Sequence, residues 1–186
     1  MRIIGGSFKG KKLLLPEDTQ TRPLKDLTKE SIFNIINHTN KFKINLNSSV
    51  VLDIFSGVGS FGIECISRGV KNIVFIENYK NVLNILKKNL ASLNSKSNYK
   101  ILEKNIYDDE IYLSLNSKFD IIFLDPPYKD KNFTSILLKI NEKKLLSRGG
   151  IIVVHRHKND NDNLDSEFKI VEEKIYGISK IIFLSL

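Results

Sequence analysis

Three acidic residues in this chain each stand at or beside the end of an apolar run: Asp53, Glu77 and Asp125. Asp53 opens the stretch Asp53-Ile54-Phe55-Ser56-Gly57-Val58-Gly59-Ser60-Phe61-Gly62. Glycines in such a loop permit positive φ and let a ligand approach the backbone. A helix starting there turns free N–H groups toward an anion. Glu77, at the end of the next apolar run, is placed to accept hydrogen bonds from ribose hydroxyls. The spacing Gly57-x-Gly59-x-x-Gly62 also fits a dinucleotide loop, and a tight turn without a ligand would use the same glycines. Asp53 bears on that choice. It would repel a pyrophosphate, whereas S-adenosylmethionine has no phosphate and carries an α-amino group, a sulfonium and a carboxylate. A carboxylate near the cations, with N–H groups near the anion, suits that ligand better.

The second motif is Asp125-Pro126-Pro127-Tyr128, directly after Ile121-Ile122-Phe123-Leu124. Two prolines fix φ and remove two backbone donors, so the loop is stiff and offers mainly acceptors. An exocyclic amine on a nucleobase needs two acceptors, and the Asp125 carboxylate and Pro126 carbonyl can supply them. Tyr128 can stack on a base taken out of its helix or strand. Adenine N6, cytosine N4 and guanine N2 are all amines of this kind.

These loops need elements to hold them. Val50–Phe55, Asn72–Ile76, Tyr99–Leu102, Phe119–Leu124 and Ile151–Val154 read as strands. Between them, Phe61–Arg68, Tyr79–Leu93, Asp108–Leu115 and Phe133–Leu146 read as helices, with Gly69 and then Gly149-Gly150 as helix stops. Alternation of this kind predicts a doubly wound, Rossmann-like α/β sheet, mostly parallel. Phe168–Lys174 and Lys180–Leu184 follow as an antiparallel C-terminal hairpin. Residues 1–49 read as a basic extension packed on the 50–186 core, with a small hairpin (Arg2–Ile4 and Lys11–Leu15) and one helix over Lys25–Asn37.

The chain of 186 residues carries 29 Lys or Arg against 21 Asp or Glu, a net charge of +8. Residues 1–43 hold nine basic against four acidic residues, +5 of that total. Arg2, Lys9, Lys11, Lys12 and Arg22 are therefore the candidates for gripping nucleic-acid phosphates, contacts that position without reading sequence. No apolar run reaches the ~20 residues of a membrane span, and the N-terminus lacks a secretory leader pattern. The single cysteine, Cys65, excludes an internal disulfide and a cysteine-cluster zinc site, and its place on a helix marks it as core. A cytoplasmic, monomeric protein with no metal is expected.

At Asp53–Gly62 and Asp125–Tyr128 the chain resembles class I S-adenosylmethionine-dependent methyltransferases with an Asp-Pro-Pro-Tyr motif. More closely it is similar to the RsmD family, which methylates the guanine N2 amine of bacterial small-subunit ribosomal RNA. Arg2-Ile3-Ile4-Gly5-Gly6-Ser7-Phe8-Lys9-Gly10-Lys11-Lys12-Leu13 resembles that family's opening segment. Thr21-Arg22-Pro23, Asp26, Glu30 and Phe33-Asn34 resemble its first helix, and Tyr176-Gly177-x-Ser179-Lys180 its end. The resemblance implies Asp125, Pro126 and Tyr128 as catalytic residues. It implies Asp53, Ser56, Gly57, Gly59, Glu77, Asn105 and Ile106 as cofactor contacts, Asn105 at the position that meets adenine. The implied partner is ribosomal RNA or a partly assembled small subunit. Two departures stand out: Leu27 where a basic residue is expected after Asp26, and His155-Arg156-His157 where an acidic residue is common. His155 and His157 read as solvated loop residues, the alternative being a role near RNA phosphate. The competing readings are a DNA or other RNA amino-methyltransferase, an NAD-dependent oxidoreductase on the glycine loop, and a non-catalytic RNA-binding module.

Overall fold

The computed structural model describes residues 1–17, 24–94, 98–160, 162 and 164–186. Thr21-Arg22-Pro23, and with it the predicted phosphate contact Arg22, lies outside the described residues. Among the described residues seven strands form one sheet: β1 (Val50–Ile54), β2 (Asn72–Ile76), β3 (Asn98–Leu102), β4 (Phe119–Leu124), β5 (Leu146–His157), β6 (Lys169–Tyr176) and β7 (Ser179–Ser185). Their order is β3-β2-β1-β4-β5-β7-β6. The first five run parallel, and β7 pairs antiparallel with both β5 and β6. The fold is the doubly wound, mostly parallel Rossmann-like sheet that the alternation predicts, with the antiparallel hairpin at its C-terminal end. The helices are α1 (Asp26–His38), α2 (Ser60–Ser67), α3 (Lys80–Ala91), α4 (Asp109–Leu113) and α5 (Phe133–Glu142). None of them is long and apolar enough to cross a membrane.

The central strands β1 and β4 are apolar on both faces because both are covered. On one side Val51, Phe61, Phe75, Phe123 and Phe183 form a core with Ile3, Leu13, Leu24, Ile32, Phe33 and Ile36 of the N-terminal segment. Cys65 is buried in the same cluster. Phe61 stacks between Phe33 and Phe123, at 5.3 and 4.0 Å between ring centres. On the other side Leu52, Ile54, Ile122 and Leu124 meet α4 and α5. Gly62 is where α2 crosses β2: a Cβ there would lie 2.2 Å from the Phe75 ring.

Two expectations about β5 need correction. The α5 helix ends at Glu142 and not at Leu146, because Lys144 takes a left-handed φ of 52°. The chain then reverses into β5, and Leu146 already pairs with Phe119. Gly149-Gly150 therefore lies inside the strand, at a register shift against β4, and Gly149 has φ 79°. The glycines mark a bulge and not a helix stop. The strand also continues past Val154 to His157, paired with β7 throughout.

The N-terminal hairpin consists of one antiparallel bridge, Arg2 with Lys12, around a 3₁₀ turn at Gly6–Phe8. Its anchor is ionic. The Lys29 ammonium, fully buried on α1, lies 3.6 Å from Glu64 of α2 and donates to the Arg2 carbonyl at 2.7 Å. Glu64 also accepts from Ile4 N at 2.8 Å and from Arg68 Nε at 2.8 Å. Burial lowers the Lys29 pKa, and Glu64 and Asp26 oppose that shift.

Candidate active site

The strand order reverses between β1 and β4, and ligands in open α/β sheets bind beyond the carboxyl ends at that point. A cavity of about 780 Å³ lies there. Asp53, Ser56, Gly57, Glu77, Asn105, Ile106, Asp125, Pro126 and Tyr128 all line it, while Gly59 does not. Register explains the convergence. Asp53 pairs with Phe75 and Phe123 on its two neighbours, so the loops after β1, β2 and β4 open side by side. Asp125 N then donates to the Ile54 carbonyl at 3.3 Å, tying the two central loops together.

The loop after β1 is held from within. Phe55 has φ 59° and Gly59 φ 88°, both left-handed, the first an uncommon conformation for a side chain of that bulk. Ser56 Oγ donates to the carbonyls of Asp53 and Ile76 at 2.7 and 3.1 Å. Gly57 N donates to Glu77 Oε2 at 2.7 Å, and Gly62 N to Asp53 Oδ2 at 2.9 Å. Glu77 Oε1 accepts from Asn78 N and Tyr79 N, each at 2.9 Å. Several N–H groups expected to face an anion are thus bonded inside the protein. The unpaired donor is a residue the sequence reading passed over: Ser60 Oγ, buried at the start of α2 on the cavity wall, has no partner among the described residues. Asn89 was also passed over. It is buried on α3, donates to the Val58 carbonyl at 3.0 Å, and exchanges hydrogen bonds with the backbone of Leu14 at 2.8 and 3.2 Å.

Burial drives the Asp53 carboxyl well above the usual carboxylate range. Gly62 N–H acts against the shift, and the negative charges of Asp125 and Glu77 add to it. Such a cluster favours a positively charged guest.

The loop after β4 is clamped by the segment read as solvated, and here the sequence expectation fails. His155 and Arg156 are buried, 6% and 2% exposed, because β5 runs on to His157, paired with β7 and covered by the loop after β4. His155 Nδ1 lies 2.7 Å from Asp125 Oδ1. Arg156 donates to the carbonyls of Pro127 at 3.3 Å and Asp130 at 3.1 Å. Its guanidinium also meets both oxygens of Asp162 at 3.1 Å and lies over the Phe133 ring at 4.5 Å. His157 is half-buried, its ring 5.4 Å from that of Tyr128 in an edge contact. Tyr107 donates to Asp130 Oδ2 at 2.6 Å, joining the loops after β3 and β4. Burial and that bond push its phenol above the usual value. Asn105 Oδ1 caps the same turn by accepting from Tyr107 N at 3.1 Å.

The N-terminal cations lie apart from the cavity lining. Arg2, Lys9 and Lys12 are exposed, with Arg2 3.5 Å from Asp26. The Lys11 ammonium is engaged by the Ser92 carbonyl. Leu27 is 66% exposed, so its departure from the expected basic residue costs no packing.

Residues 1–185 match the family model described as conserved hypothetical protein 95. Ribosomal RNA small subunit methyltransferase D of Haemophilus influenzae is 31% identical over 96% of this chain and 90% of its own length. Its Escherichia coli namesake is 26% identical over 95% and 85%. A solved Escherichia coli structure named as a candidate methyltransferase superposes with a TM-score of 0.80 at 26% identity, covering 99% of this chain and 96% of that one. This chain belongs to the conserved hypothetical protein 95 family, the RsmD family of methyltransferases.

Proposed function

We propose that this protein transfers a methyl group from S-adenosylmethionine to the N2 amine of a guanine in small-subunit ribosomal RNA. The observation that carries the reading is the meeting of Asp53, Glu77 and Asp125 in one cavity at the switch between β1 and β4. The names of the relatives support ribosomal RNA as the substrate.

The cavity fits the cofactor. About 780 Å³ lies within the range of small-molecule sites. Asp53 supplies a carboxyl that a cationic guest would draw into its ionised form, and the unpaired Ser60 hydroxyl supplies a donor for a carboxylate. Asp53, Ser56, Gly57 and Ser60 would hold the amino-acid end, Gly59 shaping the loop. Glu77 would hold the ribose, and Asn105 with Ile106 the adenine. When bound, S-adenosylmethionine supplies a methyl group on a sulfonium, an electrophile for nitrogen.

The rest falls to the chain. A base amine is a weak nucleophile because its lone pair is delocalised into the ring. The Asp125 carboxylate and the Pro126 carbonyl accept its two N–H bonds and turn the lone pair toward the methyl group. The same oxygens face the positive charge that develops on nitrogen. Tyr128 stacks on the base, and Asp125 takes the proton the amine sheds. Residues 1–49 dock the RNA through Arg2, Lys9, Lys11, Lys12 and Arg22 while residues 50–186 carry the transfer, as a monomer in the cytoplasm.

The test is transfer of labelled methyl to small ribosomal particles from cells lacking the protein, followed by mass analysis of the nucleosides. Labelled N2-methylguanosine is expected. Asp125→Ala should reduce transfer at least about 100-fold while leaving S-adenosylmethionine binding near wild type. Label in adenosine would reject the guanine assignment.

A further inference from the structure

A buried imidazole stands beside the Asp125 carboxylate. In the β4–β5 register Leu124 pairs with Val154, so Asp125, just past the end of β4, and His155 on β5 lie side by side. The two side chains meet at 2.7 Å through His155 Nδ1 and Asp125 Oδ1. His155 also lines the cavity. Its other ring nitrogen, Nε2, is buried without a hydrogen-bond partner among the described residues.

An ionised carboxylate only accepts hydrogen bonds, so the proton of this pair belongs on Nδ1. With Nδ1 committed to Asp125, Nε2 is left without a partner among the described residues. The chain nonetheless buries an imidazole in a strand whose preceding residues are Ile151, Ile152, Val153 and Val154. An aliphatic side chain would fill this position with no unpaired atom, and packing does not call for histidine.

We propose that His155 is the positioning residue of the transfer reaction. Its Nδ1–H donates to Asp125 Oδ1, fixes the carboxylate plane, and leaves Oδ2 to accept the amine N–H and then the proton the amine sheds. Arg156 completes the support by holding the carbonyls of Pro127 and Asp130. The inference rests on the methyl transfer proposed above. It adds that this chain orients its catalytic carboxylate from the neighbouring strand.

His155→Leu and His155→Asn test it. Leucine removes the donor, whereas the asparagine amide can place an N–H near the position of Nδ1. For His155→Leu, kcat should fall about 10- to 100-fold, as expected when a reacting group loses its orientation. KM for S-adenosylmethionine should change less than about twofold, and the melting temperature should hold or rise because the unpaired nitrogen is gone. His155→Asn should recover most of kcat. In the wild type, ¹⁵N spectra of the imidazole should show the Nδ1–H tautomer, and Asp125→Ala should abolish that preference. A wild-type kcat in His155→Leu, or equal losses in both variants, would overturn the positioning role. Transfer by the wild type in the same assay keeps that outcome distinct from failure of the methyltransferase reading, in which the wild type itself labels nothing.

Discussion

At Asp53 the binding role proposed above would come at a cost in stability. Its carboxyl is buried, and burial raises its pKa above the unfolded value, with the neighbouring Asp125 and Glu77 charges adding to the shift. A raised folded-state value favours the protonated form in the fold. Its stabilising contribution is therefore full at low pH and is lost as pH rises through the raised value. Asp53→Asn cannot ionise and keeps an oxygen for Gly62 N–H. It should melt at a higher temperature than wild type at pH 8, with the gain shrinking toward pH 5. It should also bind S-adenosylmethionine at least about 10-fold more weakly, the cost of one missing charge-assisted hydrogen bond. Thermal melts and titration calorimetry at both pH values check this, and equal melting temperatures at pH 8 would contradict the assigned burial cost. Asp53, Glu77 and Asp125 were legible in the sequence because each ends or nearly ends an apolar strand and stands at a loop or turn. Ser60 and Asn89 were not, since nothing in their own spacing distinguishes them from an ordinary helix cap and helix surface.

Among the elements, α2 links the loop after β1 to the N-terminal segment. Its start frames the cavity, Gly62 sets its distance from β2, and Glu64 and Arg68 receive the extension. Gly62→Ala places a methyl group 2.2 Å from the Phe75 ring and should destabilise the fold by about 1–3 kcal/mol, measured by urea unfolding. An unchanged midpoint would show that α2 can shift freely. Most element positions were readable from periodicity, with β2 and β4 matching at both ends. The α5–β5 junction was not. A glycine pair ends a helix in one context and bulges a strand in another. Only the pairing of Leu146 with Phe119 and the left-handed Lys144 separate the two.

Over the whole molecule the basic segment and the sheet share one core, which changes how RNA docking should be tested. Deleting residues 2–12 would remove Ile3, fully buried in the cluster around Phe61 and Phe123. The combined variant Arg2→Ala, Lys9→Ala, Lys12→Ala spares that core because all three side chains are exposed. Its RNA affinity should fall. The slope of log K against log salt should flatten by roughly 0.7–0.9 for each phosphate no longer neutralised, or about 2 to 3 in all. An unchanged slope would move the docking surface elsewhere. Lys11 is kept in this variant because its ammonium also holds the Ser92 carbonyl, so its removal would disturb that contact along with any phosphate.

The strand–helix rhythm, the glycine loop behind Asp53, the second acid at Glu77 and the stiff Asp125-Pro126-Pro127-Tyr128 turn can all be read from the order of residues. Each of these is local, set by neighbours within a few residues. That His155 stands beside Asp125, that Arg156 braces the same loop, and that Lys29 is a buried anchor and not a surface charge follow from the folded arrangement alone. Those facts depend on strand register and on helices packed across long separations. A run of side chains reports the face its own element turns inward, but it does not report which atoms of a distant element it will meet there.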